Sequence, residues 1–345
     1  MFLTETEILD TPRALDQTCR YFKNNEAVLS EFFAHNKQKK FTILGCGSSF
    51  MLAKGAAALF ASLPQTTANA IPAGDYIVDP SFWQETVRES IVLLLSRSGR
   101  TSEMVWALKQ IKNAFGCPAI SVTAEDNNDL MPMCDLNLTL TWCYDNSVCQ
   151  TRTVTNLYAA TLLLAAKYAG QDSLHDSVLA ACRASGAFNL RYRPVLENIA
   201  AREWDNVVVL ADGPVCGIAE EGALAFTEIS MLTGRYFHLL DYRHGPIVVS
   251  GTKTLTLMLL RPGEEELQGA MVRDVVNHGG IVVTISDQVD NKFDAAAHIQ
   301  ISDIHDFAAW GIPFIYIAQM TALLKALALG SNPDQPKGLE AYISL

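Results

Sequence analysis

Apolar positions along the chain fall into short continuous runs alternating with stretches at helical spacing. Between Ile91 and Glu103 the sequence reads IVLLLSRSGRTSE. Ile91 to Leu95 has no polar face, the pattern of a strand buried on both sides of a parallel sheet. Ser96, Ser98 and Thr101 then surround Gly99, and Val105, Leu108 and Ile111 recur at helical spacing. A strand, a small-residue turn and a helix start follow one another. The amide groups and dipole of such a start favour an anion, although a plain Ser or Thr cap reads the same way.

The same unit occurs earlier: Phe41 to Leu44, then Gly45-Cys46-Gly47-Ser48-Ser49, then a helix over 50–63. Further strands are expected at 119–122 and 136–141, and the polar stretch CYDNSVCQTRT leads into another helix. The second half repeats the plan, with strands at 206–211, 236–240, 254–260, 280–285 and 298–301 and helices over 218–232, 268–278 and 313–329. Alternating elements of this kind predict an α/β protein with two tandem doubly wound parallel-sheet domains, an internal duplication. The expected divisions are an N-terminal helical segment over 1–37, a first domain over 38–170, a helical connector over 171–203, a second domain over 204–330 and a tail over 331–345. The preface carries helix-period Ile8, Leu15, Phe22 and Leu29 and shows no chemistry.

The two copies differ at their loops. The first has the hydroxyls of Ser48, Ser49, Ser96, Ser98 and Thr101, whereas the second has titratable groups: Glu221 and Glu228, seven apart and thus on one helical face, and His244 in DYRHGP. One half suits holding an anion and the other moving protons. A dinucleotide is disfavoured, because Phe50 occupies the third glycine place of GCGSSF and the neutral stretch 64–70 lacks the expected acid. Cys46 has no neighbouring base and reads as a small buried residue, and His238 within an apolar run reads as a core histidine.

Composition narrows the class. The 345 residues carry a net charge of −11 without a basic run, which argues against nucleic acid as a partner. Eight cysteines show no C-x-x-C or His-rich spacing, so no metal and no cofactor is expected, and the thiols read as reduced. The acidic start MFLTETEILDTP is unlike a leader, and no apolar run is read as a membrane span; the expectation is a cytoplasmic protein with no membrane partner.

In order, ILGCGSSF, LLLSRSGRTSE, GALAFTEIS, YRHGP and NPDQPKGL resemble the motifs of proteins with two sugar-isomerase (SIS) domains. These include the isomerase half of glucosamine-6-phosphate synthase and the ketose/aldose isomerase and amino-sugar-phosphate deaminase group. The resemblance covers roughly residues 40–345, and the glutaminase part of the synthase is not expected here. It implies phosphate contacts from Ser49, Ser96, Ser98 and Thr101, with Arg97 beside them, and it places Gln150 and Thr151 at the rim of that site. Glu228 matches the enolisation base, Glu221 a carboxylate that orients substrate, and His244 a ring-opening histidine that reaches the neighbouring subunit's site. A homodimer with shared active sites follows from the resemblance.

Those residue types fit the chemistry. Moving a proton between the two carbons beside a carbonyl needs a positioned carboxylate, and ring opening needs a group that exchanges protons near neutrality. Ala225 and Ala341 stand where the synthase has lysines, so a Schiff base at either place is excluded. The expected function is aldose–ketose isomerisation of a sugar 6-phosphate, with loss of a C2 amine as a variant. The alternatives are a fructosamine-6-phosphate deglycase and a non-catalytic sugar-phosphate-binding protein. Arg97, Arg152 and Arg243 are each as readily structural ion pairs as anion ligands.

Overall fold

The chain opens with two helices, α1 (Leu3–Asn24) and α2 (Glu26–His35), in a computed structural model that describes residues 2–339. The first sheet contains β1 (Lys40–Gly45), β2 (Thr67–Pro72), β3 (Ile91–Ser96), β4 (Ala119–Thr123) and β5 (Leu136–Thr139). The second contains β6 (Asn206–Leu210), β7 (Thr233–Phe237), β8 (Thr254–Leu259), β9 (Ile281–Ser286) and β10 (Ala297–Gln300). Their orders, β2-β1-β3-β4-β5 and β7-β6-β8-β9-β10, are the same topology twice. Every strand pair is parallel. The duplication read from the sequence is therefore a duplication of fold.

Three apolar clusters hold the two sheets. Ile91, Leu93 and Leu95 of β3 join one that runs through both sheets, together with Phe41, Ile43, Val207, Val209 and Leu257. Val92 and Leu94 point to the opposite face of the first sheet, and Val208 and Met258 to that of the second. A strand with both faces covered needs apolar residues at every position, which is why β3 reads as a continuous run.

Helices α3 (Ser48–Ala61), α7 (Arg152–Ala169), α8 (Asp172–Ala200), α9 (Cys216–Ala225) and α11 (Gly311–Ala328) contribute to the shared cluster. Together with the turn before it, α11 makes a 22-residue stretch, Phe307–Ala328, long and apolar enough to cross a membrane. That corrects the sequence reading, which found no such run. Of its most apolar 18-residue window 94% is buried inside the protein, as the core helix of a two-sheet fold must be. Where α3 meets α9 the backbones touch: a Cβ on Gly217 would lie 2.2 Å from the Met51 carbonyl oxygen and 2.3 Å from the Gly55 nitrogen.

The sequence reading departs from the structure mainly at sheet edges. β2, with only Ile71 fully buried, was not expected, nor were α4 (Ala73–Val78) and α5 (Pro80–Val87) after it. β7 begins at Thr233, three residues before the expected strand, because this edge strand carries Thr233, Gly234 and Arg235 in place of an apolar run. His238 thus falls beyond β7 and is exposed, with Nδ1 2.8 Å from Asp212 Oδ1, and is not a core residue. The remaining helices, α6 (Ser102–Phe115) and α10 (Glu265–Asn277), occupy their expected places.

Candidate active site

In an open parallel sheet a ligand site is expected beyond the carboxyl ends of the strands where the strand order reverses. In the first sheet that point lies between β1 and β3, and the turns after these strands meet there around a cavity of about 170 Å³. The β1 turn is tight because Gly45 lets the chain fold back on itself; a Cβ there would come within 2.4 Å of the Ser49 carbonyl. Ser49 N donates to Cys46 O at 3.1 Å and Phe50 N to Gly47 O at 2.8 Å, so Ser48 and Ser49 open α3 facing the cavity. In the β3 turn Ser96 Oγ accepts from Gly99 N at 2.9 Å and Ser98 Oγ from Arg100 N at 3.2 Å.

Among the described residues no side chain caps α3 or α6. Two helix starts and a ring of hydroxyls therefore converge on one cavity that Ser48, Ser49, Ser96, Ser98 and Thr101 all line. Such a cradle suits a compact anion.

Arg97 also lines the cavity, but it is 4% exposed and its Nη1 donates to the carbonyls of Ser147 at 2.8 Å and Val148 at 3.3 Å. It ties down the 144–151 segment, which brings Val148 and Gln150 to the cavity wall. Gln150 Oε1 is buried with no protein partner among the described residues. Thr151 is fully buried behind that wall; its N–H donates to Asp145 Oδ2 at 2.7 Å and its carbonyl accepts from Gln319 Nε2 of α11 at 3.1 Å.

The second half of the chain supplies one carboxylate to the same cavity. Glu228 lines it from a π-helical turn, Phe226–Ser230, that continues α9 and ends at Met231 in the left-handed region. Such turns recur at functional sites because the extra residue per turn re-aims a side chain. Burial raises Glu228 to about 7, with the Arg97 charge pulling the other way. Glu221 does not line the cavity. It lies wholly buried on α9, and burial together with the Glu228 charge raises it well above the usual carboxylate range, opposed by a hydrogen bond from Ser48. The two carboxylates and the serine turn therefore join the halves of the chain around one centre.

His244 is not brought there within the chain. It sits exposed in the turn after β7, flanked by the exposed apolar Leu240, Val248 and Val249. Arg243 pairs with Asp274 at 2.6 Å and Arg152 with Asp10 at 2.5 Å, so these two arginines are structural pairs. Ala225 is buried at the end of α9, and Ala341 lies outside the described residues. Lys325 donates to the Arg202 carbonyl at 2.7 Å and lies over the Trp204 ring, closing the end of α8. Burial pushes the Cys46 thiol up to about 12, in keeping with an inert residue. No cluster of three metal-ligating side chains occurs among the described residues.

Sequence reasoning missed the contributions of the first helix. Glu7 and Asp10 of α1 reach the 144–152 segment, and Glu103, Met104 and Leu339 also line the cavity. Glu7 has no local motif around it, so nothing in its neighbourhood marked it.

Residues 36–167 match the family model of the SIS domain. Over 96% of its length the chain is 24% identical to D-galactosamine-6-phosphate deaminase of Escherichia coli O157:H7, covering 91% of that protein. Over 99% of its length it is 26% identical to the isomerizing glutamine–fructose-6-phosphate aminotransferase of Zymomonas mobilis, of which it spans 58%. Among solved structures, glucosamine-6-phosphate deaminase from Thermotoga maritima superposes with a TM-score of 0.82 at 25% identity, covering 99% of this chain and 100% of that one. The ketose/aldose isomerase for tagatose 6-phosphate from Escherichia coli superposes at 0.86 with 20% identity, covering 99% and 97%.

Proposed function

We propose that this chain, which carries a SIS domain over residues 36–167, is a phosphosugar isomerase/deaminase that moves a proton from C2 to C1 of a sugar 6-phosphate. The observation that carries the reading is Glu228, held near pKa 7 in the same cavity as a cradle of hydroxyls and helix starts. Ser48, Ser49, Ser96, Ser98 and Thr101 would bind the phosphate, which anchors C1 and C2 at the carboxylate. Arg97 would hold the rim and set the field there, and Gln150 would meet the sugar, with Thr151 buried behind it instead of touching the ligand.

On an open-chain 2-amino sugar, Glu228 takes the C2 proton while the electron pair moves toward C1 and its carbonyl oxygen. Return of the proton at C1, with an amine proton passing to the C1 oxygen, leaves a C2 imine, which water hydrolyses to the ketose and ammonia. Without the amine, the same proton shift is aldose–ketose isomerisation. Glu221, buried behind the cavity and raised by burial and by the Glu228 charge, would act on the substrate only through Ser48 and Glu228. Similarity to two amino-sugar-phosphate deaminases favours the deaminating variant.

We read the protein as a cytoplasmic homodimer in which His244, on an exposed apolar-flanked turn, opens the sugar ring in the partner's site. The phosphate-holding half would be residues 38–170 and the proton-moving half 204–330. The test is Glu228→Gln, which should abolish turnover and C2 proton exchange in deuterated water across hexose and hexosamine 6-phosphates while leaving their binding nearly intact. Near-normal turnover in that variant would remove Glu228 from the mechanism. Ammonia among the products separates deamination from isomerisation.

A further inference from the structure

The segment from Tyr144 to Thr151 has no regular structure that spans it, yet it brings Gln150 to the cavity. Its backbone is held from both sides by charge. On one side the Arg97 guanidinium takes its carbonyls at 147 and 148. On the other, carboxylates take its amides. Asp145 Oδ2 accepts from Thr151 N at 2.7 Å and Thr153 N at 2.8 Å. Glu7 Oε1 accepts from Asn146 N at 2.6 Å and Ser147 N at 3.3 Å.

Glu7 also reaches the residue next to Gln150. Its Oε2 shares the Ser147 hydroxyl with the Cys149 carbonyl, which lies 2.8 Å from Ser147 Oγ. Glu7 is 4% exposed, on a helix 140 residues away in sequence. A buried carboxylate is costly to place unless it is well hydrogen-bonded, and here its bonds are spent on one loop at the active-site wall.

We propose that Glu7 is a positioning residue for the sugar-contacting rim, fixing Gln150 and Thr151 through Asn146, Ser147 and the Cys149 carbonyl. The inference rests on the sugar-phosphate reading above. It assigns the N-terminal helix a part in substrate recognition, separate from the phosphate cradle, which the turns after β1 and β3 build by themselves.

That separation gives the test. Dissociation constants for fructose 6-phosphate and inorganic phosphate are measured by calorimetry on the full chain and on the variants E7A and E7Q. Loss of one buried charged hydrogen-bond partner should weaken fructose 6-phosphate by about tenfold in E7A. Inorganic phosphate should stay within about twofold, because the cradle does not touch Glu7.

E7Q should bind like wild type. A carboxamide keeps an oxygen for the two amides and offers an N–H to the Ser147 hydroxyl, which then donates to Cys149. If E7A does not fold, S147A removes the side-chain link while keeping both amide bonds, and should weaken the sugar phosphate alone by about threefold. Unchanged binding of both ligands in these variants, or equal weakening of both, overturns the proposal. A wild-type chain that binds phosphate but no sugar phosphate overturns the reading it rests on.

Discussion

Glu228 combines two requirements that usually conflict: it lies deep enough for burial to raise it to about 7, yet it still faces a cavity that admits a ligand. A base tuned near the working pH is half ionised there and a strong enough acceptor. The acid limb of kcat should therefore rise through about pH 7, and replacing Arg97 with Met should move it upward, since the Arg97 charge favours the ionised form. The same shift has a stability consequence of opposite slope. A carboxyl whose folded value lies above its unfolded one binds its proton more tightly when folded. Its contribution is full below the unfolded value and is lost as pH rises through the folded one. Asp145, raised by burial and by Glu7 to about 6, adds in the same direction. The urea midpoint of the wild-type chain should fall between about pH 5 and pH 7.5. In E228Q the fall should be shallower; an identical slope would mean that Glu228 titrates normally.

At the scale of elements, the strand–turn–helix units were legible because everything that builds them is local. Leu93 and Leu95 face one core and Val92 and Leu94 another, so β3 could be read from five residues, and the hydroxyls that line the cavity follow directly in sequence. The turn after β1 depends on Gly45 in the same local way. Gly45→Ala should cost about 3 kcal/mol in a denaturation experiment, because the clash is with backbone atoms of Ser49 that no rotamer change can relieve. It should also weaken phosphate binding, which displacement of Ser49 makes unavoidable. The edge strands β2 and β7 were illegible or displaced, since an edge needs no continuous apolar run. The π turn at Phe226–Ser230 has an ordinary helical sequence, and Glu7 meets its loop only after the chain has folded. Neither left a periodic trace to read.

For the whole molecule, duplication followed by divergence of loops divides the work: the first copy presents hydroxyls and amides, the second a carboxylate and an exposed histidine. If His244 serves the neighbouring subunit, mixing E228Q with H244A chains should restore activity that neither has alone. Random exchange in a symmetric dimer leaves about a quarter of the sites with both groups intact. No recovery after exchange would place His244 outside the partner's site. The contact of Gly217 with Met51 and Gly55 bears on how substrate gets in. Many two-sheet enzymes open and shut like a jaw, rocking about a hinge in which side chains slide. Here α3, which starts at the Ser48–Ser49 turn, and α9, which leads to Glu228, are pressed together at their backbones, with no side chain between them to give. The serine turn and Glu228 are thus pinned to one another. Room for a substrate to enter therefore has to come from elsewhere than the seam between α3 and α9.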